Sequence, residues 1–423
     1  MSAARELLRR MLHSVADSGA SIRGSFADES LQKLCRELVS ERGEASGTAI
    51  AREIAERYLA LPESGRLSFF EQLLNKQWLA DPEEVLRLAT AYHQQPGPAE
   101  LNQLFRTVEP KRQELFRRIN TGPHGIETIV RMRQDVLSLL PAHANLEPVN
   151  ADLIHLLSSW FNRGFLELRR IDWRTPPVIL EKLMQYEAVH PIEGWPDLRR
   201  RLQGDRRCFA FFHPALPDEP LIFVQVALTR GVATAIQPLL AIDGPATDLS
   251  LVDTATFYSI SNSQDGLRNI SFGAFLLKQV IHELSQEEIA VRRFVTLSPI
   301  PGFRAWLAKQ APSLVPDEIG PETSKDQQRV FTQWCARYLS TTGPNRRAID
   351  PVAHFHLSNG ASIEQIHWMA DTSPKGIRQS LGFMVNYRYR PLRIVRNHEL
   401  YAKQGRIAVS SAVQALLDAK RAK

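Results

Sequence analysis

The 423-residue chain is 43% hydrophobic and 23% charged, a balance that excludes a disordered or fibrous protein, and its length predicts two or three domains at roughly 150 residues each. Lysine and arginine exceed aspartate and glutamate by 52 − 46 = 6. That excess is not gathered into one run, so it admits an anionic ligand but lacks the concentrated basic face that nucleic acid requires.

Cys35, Cys208 and Cys335 lie far apart. They make neither a disulfide framework nor a metal pattern, which fits a reducing compartment. The longest apolar stretch, Leu221 to Leu228, already contains Gln225 and is far short of the ~20 residues a membrane span needs. The N-terminal segment MSAARELLRRMLHSVAD carries Glu6 and Asp17, which a mitochondrial presequence avoids, so it reads as an ordinary first helix. The terminal AKRAK is not a peroxisomal address. A soluble, cytoplasmic protein is expected.

The first 160 residues read as helices. Ile50, Ile54 and Tyr58 recur every four residues, the mark of one buried helical face. Asp81 followed by Pro82, Glu83 and Glu84 predicts a helix start: a capping side chain, a proline at the first position, then acids near the positive end. Ile126, Ile129, Met132 and Val136 continue the rhythm until Pro141, and Thr121 to Gly125 read as a turn. Catalytic side chains do not concentrate here, so residues 1–163 are expected to be a helical bundle for packing or subunit assembly.

The texture changes near Gly164. Leu166 and Leu168 alternate with charged residues, and Thr175-Pro176 opens a helix through Tyr186. Phe209, Phe211 and Phe212, then Ile222, Phe223, Val224 and Val226, give two strands the aromatic and β-branched content of a buried sheet. Val232 to Ile236 and Thr256 to Ile260 are further strand candidates. Helices and strands then mix to the end, so residues 164–423 are expected to form one α/β-type domain.

Three segments could carry chemistry. In FYSISNSQDGLRNISFGAFLLKQVIHEL, residues 257–284, a strand, a turn and an apolar helix from about Ser271 follow one another, with Phe275, Leu276, Val280 and Leu284 on the buried side. The unpaired N–H groups of such a helix start can hold a phosphate. Arg268 to Gly273 has the Arg/Gln-x-x-Gly-x-Gly/Ala spacing of the loop that GNAT acyltransferases lay on the pyrophosphate of coenzyme A, with Ser271 at the first glycine position. A plain strand–turn–helix is the alternative. In TLSPIPGFRAWL, Pro299 and Pro301 stiffen the turn that presents Ser298; the serine suits a catalytic hydroxyl or a helix cap. In DPVAHFHLSNGASIEQIHWMAD, His354 and His356 lie two apart, on one side if the segment is a strand. No third ligand has zinc spacing, so each is either a general acid or base, or a buried hydrogen-bonded histidine.

There is no Gly-x-Ser-x-Gly elbow, Walker loop, tandem cysteine pair or Met-Lys-Met biotin sequence. Taken in order, HPALPDEPLIFVQVALTRG, FYSISNSQDGLRNISFGAFLLKQV, TLSPIPGF, HFHLSNGA and HWMADTSPKG…NYRY, with EAVHPIEGW at 187–195, resemble the malonyl-CoA decarboxylase family over about residues 164–391. The resemblance implies an α+β chain, with an N-terminal all-helical bundle domain before a GNAT-like mixed α/β catalytic domain. It implies conversion of malonyl-CoA to acetyl-CoA and carbon dioxide without biotin, metal or another prosthetic group. Ser298 and His356 stand at the family's catalytic positions, and His354 falls outside the motif. The coenzyme A loop carries over onto Arg268, Asn269, Ile270, Ser271, Phe272, Gly273 and Ala274, and Tyr389 onto a third site position. Some relatives carry an acidic residue where this chain has Ser271, which puts a catalytic role for that side chain in doubt. Decarboxylation leaves a thioester enolate, which needs an oxyanion stabiliser and a proton source. Ser298 is expected to engage the malonyl carboxylate, and His356, with a near-neutral pKa, to protonate the α-carbon. A GNAT-fold acyltransferase and a non-catalytic acyl-CoA-binding protein are the alternatives. A homo-oligomer, a tetramer by the resemblance, is expected, with no nucleic-acid or membrane partner.

Overall fold

A computed structural model of the chain describes residues 30–40, 44–268, 270, 276–316, 319–320 and 322–419. The described residues divide into two compact units. One holds those up to Phe165 together with Pro214–Leu216 and the described part of Gln264–Phe272; the other holds the remainder.

The first unit is helical: α1 Leu31–Leu38, α2 Glu44–Leu59, α3 Glu63–Gln72, α4 Pro82–Gln94, α5 Pro98–Val108, α6 Lys111–Asn120, α7 Gly125–Leu139 and α8 Glu147–Trp160. Ile50, Ile54 and Tyr58 are fully buried along α2, as their spacing predicts. Asp81 Oδ1 accepts the Glu83 N–H at 3.0 Å, and Pro82 opens α4. At Gly125 a side chain has no room, because a Cβ there would meet the Ile119 carbonyl at 2.4 Å. From it α7 runs with Ile126, Ile129, Met132 and Val136 buried. Several of the charges buried among the described residues of this unit are partnered. Asp135 accepts from Tyr58 Oη at 2.8 Å and Arg66 Nη1 at 3.1 Å, and the buried Arg112 pairs with Asp152.

The second unit is built on one eight-stranded sheet. Its strands are β1 Glu167–Ile171, β2 Arg206–Phe212, β3 Ile222–Thr229, β4 Thr254–Asn262, β5 Arg293–Thr296, β6 Ser298–Pro299, β7 Ser362–His367 and β8 Met384–Tyr389. They run β1-β2-β3-β4-β5-β8-β6, with β7 also on β8; β4 and β5 are parallel and the other pairs antiparallel. The helices are α9 Pro177–Tyr186, α10 Trp195–Arg201, α11 Gln237–Leu240, α12 Leu276–Gln286, α13 Phe303–Gln310, α14 Lys325–Ser340, α15 Pro351–Ser358, α16 Pro374–Ser380, α17 Ile394–Gln404 and α18 Ser411–Asp418. Helices α9 and α10 cover one part of the sheet, where Ile179, Leu180, Leu183 and Leu198 pack on Cys208, Ala210, Phe212 and Phe223. A helical region and a mixed sheet-and-helix region are the α+β class the sequence predicts.

One predicted strand is absent. Val232 to Ile236 is irregular, because Gly231 takes φ +78° and turns the chain out of the sheet. The Ile236 N–H bonds the Ala370 carbonyl at 2.8 Å, and α11 then opens at Gln237 with Pro238 in its first turn. The apolar helix after the Arg268 loop is described from Leu276, with Leu276, Val280 and Leu284 buried. Its expected start, Ser271 to Phe275, lies outside the described residues.

Candidate active site

Strand β5 ends at Thr296, Leu297 N–H bonds the Phe257 carbonyl at 2.8 Å, and Ser298 resumes pairing as the first residue of β6. Pro299 and Pro301, which follow Ser298, hold that turn stiff. Ser298 caps nothing; the N-cap of α13 is Gly302. Side chains two apart on a strand share a face, so Thr296 and Ser298 stand together, and Tyr387 and Tyr389 stand together on β8, which pairs with both β5 and β6.

His356 arrives differently from expectation. DPVAHFHLS is not a strand but helix α15, started by Asp350, whose Oδ1 accepts the Ala353 N–H at 2.7 Å, and by Pro351. Residues two apart on a helix point about 200° apart, so the two histidines separate. His356 turns inward with 3% exposure. His354 bonds Tyr401 Oη at 2.8 Å through Nδ1, the hydrogen-bonded structural histidine that was one of its two readings.

The inward histidine completes a hydrogen-bonded chain. His356 Nδ1 lies 2.8 Å from Tyr389 Oη, His356 Nε2 lies 3.1 Å from Ser298 Oγ, and Ser298 Oγ donates to Thr296 Oγ1 at 2.8 Å. With the serine proton directed at Thr296, one set of proton positions satisfies every link. Tyr389 O–H donates to Nδ1, and Nε2–H donates to Ser298 Oγ. The Tyr387 ring stacks on the imidazole at 4.5 Å between centroids. The Tyr387 N–H donates to Thr296 Oγ1 at 3.0 Å, and Asn386 Nδ2 donates to the Thr296 carbonyl at 2.6 Å. Asn386 is itself held by His367.

Burial pushes His356 down to about 3, and among the described residues no anion offsets the lost hydration. The free site therefore holds a neutral imidazole at neutral pH. This corrects the near-neutral value expected from the sequence. Burial also raises the Tyr387 and Tyr389 hydroxyls well above the ordinary tyrosine range. Asp350, fully buried at the start of α15, is pushed up to about 6.

The structure thus brings Ser298, His356 and Tyr389 together. Arg268 and Ile270 belong to the other unit. Ile270 is buried there, and Arg268 is exposed and ion-paired with Asp265 at 2.8 Å. Asn269, Ser271, Phe272, Gly273 and Ala274 lie outside the described residues. The backbone of this loop has a holder that sequence reasoning missed. Arg133 of α7, 1% exposed, donates to the carbonyls of Gly266 at 2.6 Å and Arg268 at 2.7 Å and to Asn150 Oδ1 at 3.3 Å. Its signal was available, since Arg133 stands on the stripe of Ile126, Ile129 and Val136 at helical spacing. Thr296 was missed too, although alternation from Ser298 points to it.

Among the described residues, no cluster of three or more His, Cys, Asp or Glu could hold a metal ion, and no helix is long and apolar enough to cross a membrane.

Comparison with known proteins bears on most of the chain. The profile of the malonyl-CoA decarboxylase N-terminal domain matches residues 78–161, and that of the C-terminal domain matches residues 164–334 and 315–423. The mitochondrial malonyl-CoA decarboxylase of Anser anser anser is 36% identical over 324 residues, 67% of this chain and 64% of that protein. The chain thus spans slightly less than two thirds of that relative. The crystal structure of malonyl-CoA decarboxylase from Rhodopseudomonas palustris is 45% identical, covers 91% of this chain and 98% of its own, and superposes with a TM-score of 0.85. That from Agrobacterium vitis is 43% identical, covers 93% and 100%, and also gives 0.85. Profiles on both sides of residue 163 and a shared fold over nine tenths of the chain leave one assignment: the chain belongs to the malonyl-CoA decarboxylase family.

Proposed function

We propose that this protein decarboxylates malonyl-CoA to acetyl-CoA and carbon dioxide through a thioester enolate, with Ser298 and His356 as its catalytic pair. The observation that carries the reading is the 3.1 Å contact of Ser298 Oγ with His356 Nε2 in a buried site whose other imidazole nitrogen is met by Tyr389. Family membership supplies the substrate.

The neutral histidine fits the proton balance. The reaction consumes one proton, because a carboxylate leaves as neutral carbon dioxide and the α-carbon gains hydrogen. A malonyl carboxylate entering the site brings the anion that the free site lacks, and a nearby anion raises a histidine pKa. His356 takes up a proton with the substrate, Ser298 O–H turns from Thr296 to the carboxylate, and C–C cleavage moves the electron pair into the thioester enolate. His356 Nε2–H then protonates the α-carbon, leaving a neutral imidazole protonated at Nδ1, with Tyr389 Oη as acceptor, until the proton shifts back to Nε2. Tyr389 keeps the ring oriented throughout. Arg268 to Ala274 are proposed to take the pyrophosphate of coenzyme A, with the backbone N–H groups as donors whatever side chain stands at 271.

The same reading uses no biotin, metal or other prosthetic group. It includes a cytoplasmic location and a homo-oligomer, a tetramer, assembled through the helical region, residues 1–163, while residues 164–423 carry the GNAT-like catalytic function. Leu86 and Phe105, 68% and 73% exposed on α4 and α5, support an assembly surface there, and sedimentation of the purified protein measures it.

The deciding experiment gives purified protein malonyl-CoA alone and follows acetyl-CoA by mass spectrometry. Ser298→Ala and His356→Asn are each expected to lower kcat on the order of 10²–10⁴-fold while coenzyme A binding persists. Parent-level turnover in either variant overturns its assignment. Free coenzyme A released only with an acceptor amine would make the protein an acyltransferase, and binding without turnover an acyl-CoA-binding protein.

A further inference from the structure

The two catalytic side chains come from segments 58 residues apart, and each segment touches one buried side chain of α14. Ser298 lies four residues before Gly302, the N-cap of α13. A Cβ on Gly302 would sit 2.2 Å from Tyr338 Oη, so the tyrosine hydroxyl occupies the space a side chain would need. His356 lies six residues after Asp350, the N-cap of α15, and Asp350 Oδ2 accepts the Tyr338 O–H at 3.2 Å. The second carboxylate oxygen is taken by the Ala353 N–H at 2.7 Å. Tyr338 has little freedom to yield. It is 3% exposed, and its ring packs on Phe303 at 5.9 Å and Trp306 at 5.3 Å between centroids. Gly302, Tyr338 and Asp350 therefore form one strap across the bases of both catalytic segments, while none of the described hydrogen bonds joins them to the Ser298 or His356 side chain.

We infer that Tyr338 and Asp350 are positioning residues that set the separation of Ser298 Oγ and His356 Nε2. This rests on Ser298 and His356 being the catalytic pair. A hydroxyl lodged against a bare glycine backbone fixes the Ser298 turn, and the same hydroxyl donating to the helix cap fixes the start of α15. A displacement of about 1 Å between reacting groups costs on the order of a hundredfold in rate, so the strap is expected to act on kcat rather than on substrate affinity.

The test is Tyr338→Phe, which keeps the ring and removes the hydroxyl. Expected is a fall in kcat of roughly ten- to a hundredfold with KM for malonyl-CoA within about twofold of the parent and an unchanged far-UV circular dichroism spectrum. In the Ser298→Ala background the same change should cost almost nothing further, because the geometry it protects is already gone. Gly302→Ala presses a methyl group into the hydroxyl position from the other side and should reproduce the kcat loss, so it carries the test if Tyr338→Phe fails to fold. Parent-level kcat in Tyr338→Phe overturns the inference. So does an equal fold-loss in the Ser298→Ala background, which would make the strap structural only. Parent-level turnover of Ser298→Ala itself overturns the catalytic reading and the strap with it, so the two failures are told apart.

Discussion

The helical core and the end of the sheet around β8 bury polar groups in opposite ways. In the helical unit, charge is buried already paired: Arg112 with Asp152, Asp135 with Arg66 and Tyr58, Arg133 with two loop carbonyls and Asn150. The groups that bond or stack directly on His356 and Ser298 are neutral: two tyrosines, a threonine, and the serine and imidazole themselves, the imidazole depressed to about 3. A charge that carries its own counter-group holds its protonation state and holds structure. A neutral titratable group without a counter-charge responds to whatever charge arrives, as a site that must take up and release a proton requires. Paired burial reads as framework, and unpaired neutral burial as chemistry.

Several measurements can break or sharpen that contrast. The largest effect lies in the neutral chain, where Ser298→Ala and His356→Asn are each expected to remove about 10²–10⁴ in kcat with melting temperatures near the parent's. Next comes the helical core. Asp152→Ala strands the Arg112 guanidinium and should cost about 3–5 kcal/mol in denaturant unfolding without touching the Ser298–His356 geometry. A loss below about 1 kcal/mol would end the view that this pair is framework. Arg133→Leu leaves the Gly266 and Arg268 carbonyls without their donor and should cost roughly 2–4 kcal/mol. Because it loosens the loop proposed for the pyrophosphate, KM for malonyl-CoA should rise while kcat holds; an unchanged KM would detach Arg133 from ligand binding.

Acid titration gives a smaller effect. Between about pH 6.5 and 3 the unfolded chain protonates His356 while the folded site leaves it neutral, so this histidine makes stability fall as pH drops through that window. Asp350 works the other way. Its folded value of about 6 means the folded state keeps a proton that the unfolded chain gives up, so its contribution is lost as pH rises from about 4 to 6. His356→Asn should therefore gain relative to the parent, by a few kcal/mol, when unfolding is measured at pH 4.5 instead of 7. A constant difference between the two proteins would contradict a neutral His356. The smallest expectation is no change at all, with turnover persisting after EDTA dialysis and in the presence of avidin.

Legibility differed from element to element for identifiable reasons. Asp81-Pro82 was readable as a helix start because the cap, the proline and the acids act within one turn. Asp350-Pro351 carries the same cap and proline, yet the spacing of His354 and His356 suggested a strand; the cap is the better guide, since it satisfies orphan N–H groups directly. Ser298 looked equally like a cap because Pro299 follows it. Only the pairing of β6 with β8 distinguished the readings. Val232 to Ile236 has strand composition, but Gly231 with its positive φ redirects the chain, and composition does not report φ.

Period and punctuation are local, so the sequence by itself determined the faces of α2 and α7, the strands from Phe209 to Val226, the change of texture near residue 163, and, through ordered motifs, the family, with Ser298 and His356 as its candidate pair. The tertiary structure decided what depends on neighbours remote along the chain. It joined Ser298 to His356 across 58 residues, set Tyr389 on the far nitrogen, strapped both segments to Tyr338, and turned Arg133 from a surface-type residue into the holder of a loop. Above all it fixed the protonation state of His356, because desolvation is a property of everything packed around a group and leaves no trace in the spacing of the residues beside it.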